Sequence, residues 1–233
     1  MNLNTFSVVG RCGRTGQLGV AVSTKVPAVG SLCPFVRAGI GAVATQAWVN
    51  PYLGPRVLDA LASGLDAEAA LERVLASEAD REIRQIGVVD TRGRSAAFTG
   101  RDTDGWRGHR TGPSFAVQGN MLVNEDTLTY MIDAFHTRPD EPLAERLMRS
   151  LEAGQIAGGD RRGRQSAALL VHASEDYPLV DLRADEHSDP IAELRRIYEI
   201  AKRELFPLVD ALPTKQNPHG NFAAIRAEFA PKS

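Results

Sequence analysis

Residues 5–24 read TFSVVGRCGRTGQLGVAVST, and the choice of fold class starts there. Two β-branched runs, residues 5–10 and 18–24, flank the polar, glycine-containing RCGRTGQ, so the segment reads as strand, turn, strand. A chain that opens on a hairpin is turned away from a doubly wound parallel sheet, which needs strand–helix–strand units.

The same pattern recurs along the chain. Residues 29–50 supply glycine-broken strand material, with Gly39 and Gly41 marking a bend or a close backbone approach. Two helices follow. Val57, Leu58, Leu61 and Ala62 share a face of the first, and Asp66 stands where it caps a second carrying Ala70, Leu71, Val74 and Leu75. RQIGVVD, TRG and RSAAFTG form another hairpin, and SFAVQGNML a further strand. Asn124 then caps a helix with Leu128, Met131, Ile132 and Phe135 inward. Pro142 takes the first position of the next helix, which buries Leu143, Leu147, Met148 and Leu151 and carries Gly154 near its end. SAALLVH and LVDLRA return to strand. Asp189-Pro190 opens a long amphipathic helix through Ile191, Leu194, Ile197, Tyr198, Ala201 and Leu205, with Arg195 and Arg196 on its solvated face. From about Pro207 the sequence is irregular and proline-rich, a tail that wraps the surface or a partner chain.

This order predicts an α+β fold: two antiparallel sheets packed face to face with helix pairs outside, a four-layer αββα sandwich. Residues 1–206 form one domain and 207–233 the tail. Bulk composition agrees with a globule. Of 233 residues, 43% are apolar and 24% charged, and a domain of that size buries enough surface to need no staple. A net charge of -2 gives no general attraction to nucleic acid or an anionic membrane. Cys12 and Cys33 form neither a CxxC nor a zinc pattern, no signal-peptide pattern precedes Thr5, and no apolar run reaches the ~20 residues of a membrane span. The expected location is the cytoplasm. The apolar content and proline-rich tail point to a homodimer.

Four stretches can carry chemistry. Thr5 stands at the head of the first strand, where a freed α-amine of pKa near 8 would act as base for its own hydroxyl. Lys25 closes the second strand and comes close to Thr5 if the hairpin pairs their ends; the bland alternative is a strand residue and a solvated strand end. In AGGDRRGRQSAALLV, Asp160, Arg161 and Arg164 sit among glycines, and Gln165 and Ser166 follow them. That suits a carboxylate or phosphate ligand, and equally a solvated turn. Thr45, Gln46, Asn50 and Tyr52 cluster around Trp48. Gln118 and Asn120 flank a glycine in VQGNML, either as oxyanion donors or as turn formers. His109 and His187 would need a carboxylate such as Asp185 beside them to hold a metal. No metal and no cofactor is expected.

TFSVVG, LGVAVSTKVPAVG, GAVATQAWVNPYLGPR, QIGVVDTRGR, AVQGNML, AGGDRRGRQSAALLV and VDLRADEHSDPIAELRR follow one another in order. Together they resemble a widespread bacterial and archaeal family of unassigned function, placed by fold among the N-terminal-nucleophile (Ntn) hydrolases. The resemblance runs from about Thr5 to about Glu199. It implies the αββα sandwich, a nucleophilic role for Thr5 and a helper role for Lys25, with Asp160, Arg161, Gln165 and Ser166 near the pocket mouth.

The implied activity is hydrolysis of a small, anionic, non-peptide amide-like C–N bond, with Asn120 or backbone amides at the oxyanion, Arg161 and Arg164 on the substrate carboxylate, and Ser23, Thr45, Gln46, Asn50 and Gln118 lining the site. Met1-Asn2-Leu3-Asn4 precede Thr5, so Thr5 is freed by self-cleavage, or translation starts nearer to it, or it is not the nucleophile. Two other readings stay open: a catalytically silent ligand-binding or scaffolding member, and a hydrolase using Ser23 beside Lys25 or Ser166 beside Arg164.

Overall fold

In the computed structural model, which describes residues 2–3 and 5–225, the opening hairpin lies at the centre of a sheet. β1 (Asn2–Leu3) precedes β2 (Thr5–Arg11) and β3 (Leu18–Thr24). Then come β4 (Pro34–Arg37), β5 (Gly41–Trp48), α1 (Leu53–Ala62), α2 (Ala67–Leu75), β6 (Arg84–Asp90), β7 (Ser95–Thr99), β8 (Trp106–Gly112) and β9 (Phe115–Leu122). α3 (Asp126–Thr137), α4 (Leu143–Ile156), β10 (Ser166–His172), β11 (Val180–Ala184), α5 (Pro190–Glu204), α6 (Phe206–Asp210) and α7 (Phe222–Ile225) follow.

All strand pairings are antiparallel among the described residues. One sheet runs β1-β5-β6-β7 with β4 also on β5, and the other runs β11-β10-β3-β2-β9-β8.

Three apolar layers follow from the alternation of side chains along these strands. Phe6, Val8, Ala21, Val117 and Leu169 face α3, α4 and α5. Val9, Val20, Val22, Ala42, Ala44, Val89 and Ala116 meet between the sheets. Val43, Ile86 and Val88 face α1 and α2. The expected four-layer αββα sandwich is therefore the observed one. Asp66 caps α2 through Oδ1, 2.9 Å from the Ala69 amide. Gly39 (φ +69°) lies in the β4–β5 turn, and a Cβ on Gly41 would stand 2.5 Å from Leu61 Cδ1.

Several expectations are corrected. β8 had no counterpart in the sequence reading: WRGHRTG is an edge strand, half exposed, with no alternation to announce it. Asn124 lies two residues ahead of α3, and its Oδ1 accepts from the amide of Asp126, the first residue of the helix. Arg195 is no solvated charge. Its guanidinium bridges α5 to α4, with Nε 2.8 Å from Glu152 and Nη1 2.8 Å from Glu145, because α5 packs its flank on α4. Arg196 is more exposed and pairs with Glu193 on its own helix. The segment after Pro207 is partly ordered: Ala211 is buried, Tyr177 donates to the Pro213 carbonyl, and Lys215 pairs with Asp176. Residues 226–233 lie outside the described residues.

At Gly87 of β6 a Cβ would fall 1.9 Å from Gln118 Oε1 on the opposite sheet, so the two sheets meet closely there. Replacing Gly87 with Ala is expected to destabilise the fold by about 1–3 kcal/mol, the usual cost of overpacking, read as a lower urea midpoint.

Candidate active site

The inter-sheet face of β2 carries Thr5 and Ser7 ahead of the apolar Val9, and β9 places Gln118 beside Ser7. Across the sandwich, β5 and β6 pair Gln46 with Gln85, and β7 sets Thr99 beside Gln85. Polar side chains buried between facing sheets are stabilised chiefly by bonding to one another, since burying them unpaired is costly. They do so in one direction. Gln118 Nε2 donates to Ser7 Oγ (2.5 Å), and Ser7 Oγ to Gln46 Oε1 (2.6 Å). Gln46 Nε2 donates to Gln85 Oε1 (2.7 Å), and Gln85 Nε2 to Thr99 Oγ1 (2.9 Å). Thr99 Oγ1 lies 2.9 Å from His109 Nδ1 on β8. Asn120 Nδ2 also donates to Gln85 Oε1, at 2.9 Å.

Thr5 joins this belt at Gln46. It is fully buried, its hydroxyl donates to Thr24 Oγ1 at 3.1 Å, and its carbonyl accepts from Gln46 Nε2 at 3.1 Å. Asn2 and Leu3 pair with Trp48 and Ala47 in the first sheet, whereas Thr5 pairs with Thr24 in the second. The chain thus changes sheets across the single residue ahead of Thr5. That residue, Asn4, and Met1 lie outside the described residues. Two backbone positions beside the site adopt left-handed conformations without being glycine: Ala47 (φ +66°), directly after Gln46, and Met121 (φ +49°), directly after Asn120. Each costs about 1 kcal/mol or more, and such strain concentrates at functional sites.

The other expected site residues divide. Gln46, Gln118 and Asn120 join the belt. Among the described residues, three buried oxygens in and beside it have no partner: Thr45 Oγ1, Gln118 Oε1 and Asn120 Oδ1. Thr45 itself points with Val43 toward the helices, because it is one residue out of phase with Gln46. Asn50 turns away to Glu78 and the Tyr52 amide.

Lys25 comes next to Thr24 in β3 as expected, but the side chain that meets the Thr5 hydroxyl is that of Thr24. Lys25 is one step out of phase; it is exposed, with Nζ 3.4 Å from the Arg164 carbonyl. Asp160 is buried and holds the loop together by accepting from the Lys25 and Arg162 amides and pairing with the Arg162 guanidinium at 3.1 Å. Arg164 pairs with Asp189 and Gln165 with Glu186, while Arg161 is exposed. Ser23 and Ser166 spend their hydroxyls on the carbonyls of Ser166 and Val26, which leaves neither beside a base. His109 and His187 do not meet; His187 Nδ1 accepts from the Asp189 amide.

Sequence reading missed Ser7, Thr24, Gln85 and Thr99. The signal available was polar residues recurring at the inward phase of otherwise apolar strands, as in TFSVVG and RQIGVVD.

The family model described as "Family of unknown function (DUF1028)" matches residues 5–194, beginning at Thr5, and the chain belongs to that family. A crystal structure of a Silicibacter pomeroyi protein assigned to the same family is 31% identical, with a TM-score of 0.85 over 94% of this chain and 98% of that one. Anbu (ancestral beta-subunit) from Yersinia bercovieri is 11% identical at a TM-score of 0.42, covering 87% of this chain and 96% of that one. An Anbu mutant from Hyphomicrobium sp. is 15% identical at 0.38, covering 90% and 100%. No curated protein matches the chain.

Burial holds the His109 imidazole below its ordinary value, and the Arg110 charge adds to this; burial does the same at His136 and His172. Such groups bind protons more weakly folded than unfolded, so the stability they carry is complete above about pH 6.5 and lost as pH falls below it. Thermal melting between pH 7.5 and pH 5 should show that decline, and His109→Gln should make it shallower.

Proposed function

We propose that this DUF1028 chain is an Ntn-type amidohydrolase that frees Thr5 by cleaving its own Asn4–Thr5 bond and then hydrolyses a small, anionic, amide-like substrate. The observation that carries the reading is the placement of Thr5. It heads the central strand β2 at the point where the chain changes sheets, with its hydroxyl on Thr24 and its carbonyl clamped by Gln46.

In the maturation step the Thr5 hydroxyl attacks the Asn4 carbonyl carbon. The C–N bond breaks as nitrogen takes the proton, and water hydrolyses the resulting ester to an Asn4 carboxylate and a free Thr5 amine and hydroxyl. In turnover the amine takes the hydroxyl proton while Oγ attacks the substrate carbonyl, and passes it to the leaving nitrogen; water then releases the acyl group. Asn120 supports this chemistry in either of two ways. An Nδ2 hydrogen donates to the oxyanion, or the unpartnered Oδ1 accepts from the ammonium form of the amine.

Arg161, exposed at the adjoining loop, would receive a substrate carboxylate; Arg164 would first have to leave Asp189. Lys25 would have to turn from the Arg164 carbonyl to assist the amine. A second reading, ligand binding without turnover, draws on the complete burial of Thr5.

Intact mass and N-terminal sequencing of purified protein after long incubation test the proposal. The expected product begins at Thr5, forms with Thr5→Ser, and is absent with Thr5→Ala. The Ala variant should stay folded, having lost one hydrogen bond worth about 1 kcal/mol. A chain that keeps its first residues, or an active Thr5→Ala variant, sinks the mechanism and leaves ligand binding as the reading to pursue.

A further inference from the structure

The belt has a second end, and it opens on a cavity. A cavity of about 630 Å³ lies beside β7, the last strand of its sheet, enclosed by α2 on one side and by β8 of the opposite sheet on the other. That volume is in the range of sites for small organic ligands. Its floor is apolar, built from Leu71 and Leu75 of α2 with Ala96 and Phe98 of β7.

Glu68 and Glu72, one helical turn apart, put two carboxylates on its rim. Neither makes an ion pair among the described residues, so the rim carries uncompensated negative charge. The cation at the same rim, Arg81, is committed elsewhere: it pairs with Glu82 at 3.4 Å and lies over the Phe98 ring. His109 completes the wall. Thr99 Oγ1 accepts from Gln85 Nε2 and lies 2.9 Å from His109 Nδ1, to which it can give its own proton. In that tautomer the neutral ring offers Nε2–H as a donor.

From these four features together we propose that the cavity between α2, β7 and β8 binds an amphipathic primary amine that also carries a neutral acceptor. The ammonium meets Glu68 and Glu72, the apolar body covers Leu71, Leu75 and Phe98, and an amide-type carbonyl accepts from His109 Nε2–H. An anion of the same shape is disfavoured, since it would face two carboxylates while Arg81, the cation among the described lining residues, is already paired with Glu82. The proposal does not depend on Thr5 being a nucleophile.

The test is calorimetric titration of the full chain at pH 7.5 and low salt with L-phenylalaninamide, which has all three features. N-acetyl-L-phenylalanine, of similar size but anionic, is the counter-probe. Saturable binding of the amide is expected, with the His109 ring-proton resonances moving during the same titration and no response to the acetylated acid. The Glu68→Gln, Glu72→Gln double variant, altered only at exposed helix positions, should weaken binding at least about fivefold, from the loss of two surface charge contacts. Absence of saturable heat, equal binding of the acetylated acid, or unchanged affinity in a folded double variant would each overturn the proposal. So would amide binding that leaves the His109 resonances unmoved.

Discussion

The rest of the molecule is organised around one constraint: amide and hydroxyl groups buried between two sheets must satisfy one another. Gln46, Gln85, Gln118 and Ser7 are each withdrawn from solvent, and a buried donor left unpaired costs about 1–3 kcal/mol. Their chain of donations closes only if β2 and β9 are in register, β5 and β6 are in register, and the two sheets face each other at the right offset. A slip of one residue in either ladder would send the glutamines to the helix side and bring valines inward. The apolar layers reward burial in many arrangements. The belt selects one.

That selectivity has local costs beside the belt. Ala47 and Met121 take left-handed backbone angles directly after Gln46 and Asn120, and Gln118 Oε1 and Asn120 Oδ1 lack partners. Well-packed neighbours hold these positions: Phe6 and Val8 anchor β2 on α3 and α4, and Val43 and Ile86 anchor β5 and β6 on α1 and α2. Strain and unsatisfied polar atoms beside a buried hydroxyl are what a stability-optimised core would eliminate. Their presence around Thr5 is the reason a functional reading is centred there and not on the hydroxyls of Ser23 or Ser166, which are spent on backbone carbonyls.

Much of the architecture was legible in the sequence because it depends on short-range pattern. The β2–β3 hairpin, the Asp66 cap, the Pro190 helix start and the inward faces of α3 and α4 all rest on neighbours within a few turns of chain. β8 was not legible. An edge strand exposed on one side carries arginines and glycines where a central strand would alternate. Arg195 was misread for a related reason. Its partners Glu145 and Glu152 come from another helix, and nothing on α5 alone reveals that its charged flank meets acidic residues there.

By itself, then, the sequence determined most of the elements, their order and the antiparallel character of the sheets, and with them the four-layer sandwich. It also singled out Thr5, Gln46, Gln118 and Asn120 as polar residues worth weighing. Only the tertiary structure decided that these four share one site, that Thr24 rather than Lys25 meets the Thr5 hydroxyl, and that Gln85, Thr99 and His109 carry the belt out to a cavity. The physical reason is separation along the chain. Ser7 is 39 residues from Gln46 and 111 from Gln118, and hydrogen bonds across such distances depend on strand register and sheet offset, which no local periodicity encodes.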